Sequence, residues 1–149
     1  PLGAPVLYML DSGNHCLRIL AVGVNNSQVS TLAGICTKSG DKDGEGELAL
    51  FNKPEGMAID AAGNLYIADT GNHLIRKVSI FVRGEGTSSA KYFARVSTVA
   101  GMSGKQGNAD GLPLKSSFQS PVRVFVDPFD GSLYVSDKDN HSIRHITLK

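Results

Sequence analysis

Ala68-Asp69-Thr70-Gly71-Asn72-His73-Leu74-Ile75-Arg76-Lys77-Val78 has two close variants elsewhere in the chain. Upstream stands Leu10-Asp11-Ser12-Gly13-Asn14-His15-Cys16-Leu17-Arg18-Ile19-Leu20, and near the end Ser136-Asp137-Lys138-Asp139-Asn140-His141-Ser142-Ile143-Arg144-His145-Ile146. Three copies mark a repeat protein. A catalytic constellation occurs once per chain, so residues that recur speak for architecture before activity.

Outward from this stretch, each copy is preceded by a short apolar run that reads as a strand: Val6 to Leu10, Leu65 to Ala68 and Leu133 to Ser136. Asp-x-x-Asn-His is polar and reads as a tight turn, and the apolar residues after it as the returning strand. Val29 to Gly34 and Val96 to Gly101 form a further strand closed by Gly. A glycine-rich loop follows, holding Asp43-Gly44 or Asp110-Gly111, with Phe51 or Phe118 eight residues after the Asp. Pro54 and Pro121 then open another strand, where a missing N–H costs little.

Asp11 to Asp69 spans 58 residues and Asp69 to Asp137 spans 68. Nine of the ten extra residues lie between Arg76 and Val96, and one lies between Asp127 and Asp137. Four short strands per unit, joined by tight turns, are the pattern of a propeller blade. With Asn72-His73-Leu74 set in Leu-Tyr-Ile-Ala-Asp-Thr-Gly-Asn-His-Leu-Ile-Arg-Lys-Val, the chain resembles the NHL-repeat family of β-propellers over almost its whole length. The resemblance implies an all-β fold of about two and a half four-stranded antiparallel blades in one segment, 1–149. Strands b to d of the first blade are expected over about 6–34, the second blade over about 54–101 and strands a to c of the third over about 121–148, ten strands in all. Propellers close with four to eight blades. The chain is therefore expected to be a fragment of a longer propeller, or to close with other copies or another chain, and its open ends invite self-association.

Composition narrows the partners. The 149 residues are 41% hydrophobic and 19% charged, ordinary for a globular protein. A formal charge of +1 offers no global attraction to nucleic acid or to an anionic membrane. No apolar run is long enough for a transmembrane helix, so no membrane insertion is expected. Cys16 and Cys36 form neither a CxxC pair nor a framework, and a single bridge between them stays open.

His15, His73 and His141 each follow an Asp by four residues, but they occupy one repeat position and should lie a blade apart instead of converging on a metal. Asp11, Asn14, His15, Asp69, Asn72, His73, Asp137, Asn140 and His141 thus read as a structural motif, with Asp and Asn fixing the turn and His bridging strands. Arg18, Arg76 and Arg144 are also in register and read as stems packed between blades, with the guanidinium tethered or in water. Asp41 to Glu47 resembles the opening of a calcium loop but has Asn52 at the twelfth position and no flanking helices. No phosphate cradle or Gly-x-Ser-x-Gly is present. No catalytic residue, metal or cofactor is expected.

Binding residues are sought in the loops. Lys38, Asp41, Lys42, Lys105, Asn108 and Lys138 fall on the rim that carries the Asp-x-x-Asn-His turns. Arg123 replaces the Gly56 of the previous copy at the start of an innermost strand and is placed to line a channel mouth. Tyr92 and Phe93 lie in the Val82 to Arg95 insertion, which projects from the opposite rim. The family includes protein-interaction modules, RNA-binding modules, extracellular sensor domains and a lyase. The reading adopted is a non-enzymatic scaffold binding a protein or peptide through a loop rim. Single-stranded RNA on a rim is the alternative, against which stand the near-neutral charge and the absence of Trp. A third reading is part of a propeller enzyme whose active site needs further blades.

Overall fold

The computed structural model describes residues 5–23, 25–84 and 90–148. Eleven strands occur among them: β1 (Val6–Asp11), β2 (Cys16–Ala21), β3 (Gln28–Ala33), β4 (Gly44–Glu45), β5 (Pro54–Ile59), β6 (Leu65–Asp69), β7 (Leu74–Arg83), β8 (Lys91–Ala100), β9 (Pro121–Val126), β10 (Leu133–Asp137) and β11 (Ser142–Ile146). The first sheet runs β1-β2-β3, the second β4-β8-β7-β6-β5 and the third β11-β10-β9. All pairings between named strands are antiparallel, and Asp11↔Cys16, Asp69↔Leu74 and Asp137↔Ser142 close the three equivalent hairpins. Ten strands were expected; the eleventh, β4, is a two-residue piece of the polar loop that pairs with Val96 and Arg95 of β8. Two residues carry no alternation, so nothing in the sequence announces it.

Alternation along β6 decides how the sheets stack. Leu65 and Ile67 point into a core with Leu17, Ile19, Leu32 and Phe51 of the first side, whereas Tyr66 and Ala68 point into a second core with Phe118, Val124, Leu133 and Val135. A strand buried on both faces reads as a continuous apolar run, which is why Leu-Tyr-Ile-Ala carries no polar break. The outer sheets each have one such face uncovered: Leu7, the counterpart of Leu65, is 56% exposed, and Tyr134, the counterpart of Tyr66, is 40% exposed. Full burial of each such side chain is worth about 1.5–3 kcal/mol, so these faces represent unrealised stability.

Gly56 sets the distance between the second and third sheets. A Cβ there would lie 2.3 Å from the Val122 carbonyl oxygen and 2.8 Å from the Arg123 Cα. Backbone meets backbone at this point, and only glycine permits it. Arg123 holds the same place in the third sheet, exposed on the face turned away from the second.

Cys16, at the start of β2, is bridged to Cys36 in the loop after β3. The insertion seen in the sequence extends β7 and β8 to ten residues each, against six in β2 and β3. Residues 85–89 at its tip lie outside the described residues.

Candidate functional site

Each Asp-x-x-Asn-His segment forms a single 3₁₀ turn closed by its histidine in the left-handed region, at φ 61° for His15, 58° for His73 and 51° for His141. A left-handed non-glycine residue costs about 1 kcal/mol. The side chain explains why glycine is not used. Nδ1 of His15 accepts the Lys53 amide at 3.0 Å, and Nδ1 of His73 accepts the Ser120 amide at 2.9 Å. In both cases the donor belongs to the turn that opens the following sheet, so the histidine ties one repeat to the next. The form that fits is the neutral imidazole with its proton on Nε2.

The Asp, Asn and Arg of the motif hold the loop that arrives from the preceding repeat. Asn72 donates to Asp69 and to the Gly40 carbonyl at 2.8 and 2.7 Å, and Asp69 accepts the Asn52 amide at 2.8 Å. Arg76 Nη1 reaches Asp69 at 2.7 Å and the Leu50 carbonyl at 3.0 Å; Nη2 reaches Asp43 at 2.7 Å and the Lys42 carbonyl at 3.1 Å. The guanidinium also stacks over Phe51, 5.3 Å from the ring centre. Burial pushes the Asp69 carboxyl up from its ordinary value, opposed by Arg76, the Asn52 amide and Asn72. Every contact it makes is with a donor, the arrangement a carboxylate requires.

The third sheet repeats the set atom for atom. Arg144 Nη1 contacts Asp137 and the Ser117 carbonyl at 2.9 and 3.0 Å, Nη2 contacts Asp110 and the Ala109 carbonyl at 2.6 and 3.1 Å, and the group lies over Phe118. Asn140 bridges Asp137 and the Gly107 carbonyl, and Asp137 accepts the Gln119 amide. We call each set a seat: an Arg, an Asp and an Asn that grip an Asp-Gly loop with its Phe. The repeated residues therefore do structural work between sheets as well as within the turn. Asp43, Asp110, Phe51 and Phe118 complete the seats; their equal spacing was visible in the sequence, but nothing there paired them with the arginines.

The remaining sequence-predicted residues are divided among three places. Lys38, Asp41, Lys42, Lys105, Asn108 and Lys138 are exposed on the side of the 3₁₀ turns, where Asp41 accepts a hydrogen bond from Ser103 and so joins the two long loops. The Lys42 carbonyl is held by Arg76, and the Lys138 amide by Ser120. Arg123 stands apart on the outer face of the third sheet, where Phe125, Tyr134 and His145 pair across the strands and Tyr134 stacks on His145 at 4.9 Å. Tyr92 and Phe93 line a cavity of about 310 Å³ between the β7–β8 hairpin and the first sheet. Ile19, Ala21, Gln28, Ser30, Thr31 and Lys91 share that lining. The β2 and β3 residues of this wall were missed in the sequence because sheet stacking alone brings them to the insertion. Among the described residues no cluster of His, Cys, Asp or Glu could hold a metal ion. No helix among them is long and apolar enough to cross a membrane.

Stacked antiparallel sheets with apolar cores between them and a repeated seat at each junction define an all-β, propeller-like repeat protein. The family model for the NHL repeat matches residues 51–78, and the chain belongs to the NHL-repeat family. It is 32% identical over 148 residues to the protein SUPPRESSOR OF QUENCHING 1, chloroplastic, of Arabidopsis thaliana, covering 95% of this chain and 13% of that one. It is 37% identical over 109 residues to NHL repeat-containing protein 2 of Homo sapiens, covering 70% of this chain and 13% of that one. A solved structure of a Bacteroides thetaiotaomicron protein of unknown function superposes with a TM-score of 0.74 at 27% identity, over 93% of this chain and 31% of that chain. The chain thus spans about an eighth of the length of these two curated relatives.

Proposed function

We propose that the chain acts as a non-enzymatic scaffold that binds an extended protein segment in the groove between β3 and the β7–β8 hairpin. The observation that carries this reading is the cavity of about 310 Å³, whose wall combines Tyr92 and Phe93 of the hairpin with Ile19 and Thr31 of the first sheet. β3 is an edge strand of its sheet among the described residues, and residues 28–31 are exposed along it. An incoming strand can pair with that edge through main-chain hydrogen bonds while alternate side chains enter the cavity. Arg83, Lys91 and Arg95 are exposed on the hairpin, and Arg83 lies over Phe93 at 5.1 Å. The partner that fits is an extended segment alternating apolar and acidic side chains, steered by the cations. This moves the preferred surface from the rim of the long loops, where Asp43, Asp110 and the Lys42, Leu50, Ala109 and Ser117 carbonyls are engaged in the seats, to the hairpin.

Selection from a random linear-peptide library on the 149-residue protein tests the reading. Selected peptides should be acidic with alternating apolar residues, and Tyr92→Ala should weaken them by about tenfold or more, since buried aromatic anchors dominate such interfaces. Selected peptides indifferent to Tyr92→Ala and Phe93→Ala contradict it.

A second reading draws on the Phe125–Tyr134–His145 ladder with Arg123 beside it, an arrangement on which unpaired RNA bases could stack. Filter binding to random single-stranded RNA across a salt series tests it. Retention that falls steeply with salt and is lost in Tyr134→Ala supports RNA, and flat, weak retention excludes it.

A further inference from the structure

We propose that Arg18, Asp11 and Thr31 form a third seat of the same kind, which receives an Asp-Gly loop from another repeat of a longer polypeptide, lying ahead of residue 1. Arg18 pairs across the strands with Thr31, as Arg76 does with Thr98. In the second sheet the carboxylate of Asp43 joins the pair, accepting from Arg76 at 2.7 Å and from the Thr98 amide and hydroxyl at 3.0 Å each. In the first sheet Cys36 Sγ stands between the two residues, 3.4 Å from Arg18 Nη1 and 3.5 Å from the Thr31 hydroxyl. A disulfide sulfur is a weak acceptor and carries no charge, so the guanidinium lacks its anion. Among the described residues no carboxylate lies within ion-pair distance of Arg18, and the Asp11 carboxylate is met only by Asn14.

The two filled seats say what belongs there. Each takes an Asp that accepts from the guanidinium, two backbone carbonyls, a Phe ring beneath the cation and a backbone amide for the motif Asp. Leu7 and Met9, the counterparts of the buried Leu65 and Ile67, are exposed beside Arg18 and offer the apolar wall. The seated Asp precedes its Arg by 33 residues in the second sheet and 34 in the third. The same interval puts the carboxylate for Arg18 about sixteen residues ahead of Pro1. A source in the same polypeptide is favoured because both observed seats are filled from the chain's own preceding loop.

The test places a copy of residues 41–64 directly ahead of Leu7 in exchange for residues 1–6, which sets the copied Asp, Phe and Pro in the observed register. Chemical denaturation should show this extended protein to be more stable than the original. Asp43→Asn within the copied stretch, or Arg18→Gln in the body, should each remove about tenfold or more from the folding equilibrium gained, and the two together little beyond either. No gain, or a gain indifferent to both substitutions, overturns the proposal. If the extended protein does not fold, a synthetic peptide copying residues 41–60 is titrated against the 149-residue protein. One-to-one binding weakened about tenfold by Arg18→Gln or by Asp43→Asn in the peptide supports the seat; no binding, or binding unaffected by either, overturns it. A dimer of the original protein that Arg18→Gln abolishes would assign the face to a second copy and overturn it as well.

Discussion

Arg76 and Arg144 hold the same place in successive sheets and bind the same four kinds of group, yet one is sealed and the other is not. Arg76 is 0% exposed and its partner Asp43 is also gripped by Thr98 of β8. Arg144 is 11% exposed, and Asp110 is 92% exposed because, among the described residues, no fourth strand lies beside it in the third sheet. Identical local chemistry therefore has different energetic weight: beside the fourth strand the seated carboxylate is 49% exposed instead of 92%, and Thr98 supplies it with two further donors. Motif residues identify the seat, and the neighbouring strand determines how much it contributes.

The largest effect should come from deleting the sealed cation. Arg76→Ala leaves Asp69 buried with its charge uncompensated, and loss of one partner of such a pair costs about 3–5 kcal/mol. Arg144→Ala likewise strips the buried Asp137 of its cation, but Arg144 is itself partly hydrated and its second carboxylate, Asp110, is solvated, so the cost should fall to the lower end of that range, about 3 kcal/mol. Urea unfolding of both variants compares them directly, and equal losses would break the distinction. Removing the Cys16–Cys36 bridge comes next. It closes a loop across 20 positions, and its loss should destabilise by about 3 kcal/mol in the chain-entropy account, read as the difference between oxidised and reduced unfolding midpoints. The smallest contrast is between histidines. His73→Ala strips the acceptor from the Ser120 amide and should cost about 1–2 kcal/mol, whereas His141→Ala, exposed and with no following turn to hold among the described residues, should change the thermal midpoint little.

Much of this architecture was legible in the sequence because it repeats. Three copies of Asp-x-x-Asn-His fixed the hairpins, and Pro54 and Pro121 marked where a new sheet begins. The unbroken apolar run Leu-Tyr-Ile-Ala marked a strand, and its burial on both faces emerged only from the stacking of the sheets. What was not legible depended on pairs far apart in the chain. Asp43 and Arg76 meet only because the incoming loop folds back over its own sheet, and spacing alone could not say which of several loop carboxylates would be chosen. The β4 strand is too short to carry a period. The groove was half visible: Tyr92 and Phe93 stood out as aromatics in an insertion, but Ile19, Gln28 and Thr31 belong to ordinary strands and gain a role only from what stacks against them. Cys16 and Cys36 were visible as a pair, and their bridging followed from the return of the loop to the start of β2.

The recurrent arginine holds the sheets together through the carboxylate of the incoming loop. A double-mutant cycle between Asp43→Asn and Arg76→Gln, followed by urea unfolding, measures this most directly. The expected coupling is above about 1.5 kcal/mol and larger than in the same cycle for Asp110 and Arg144. Additive effects within about 0.5 kcal/mol at Asp43 and Arg76 would contradict it.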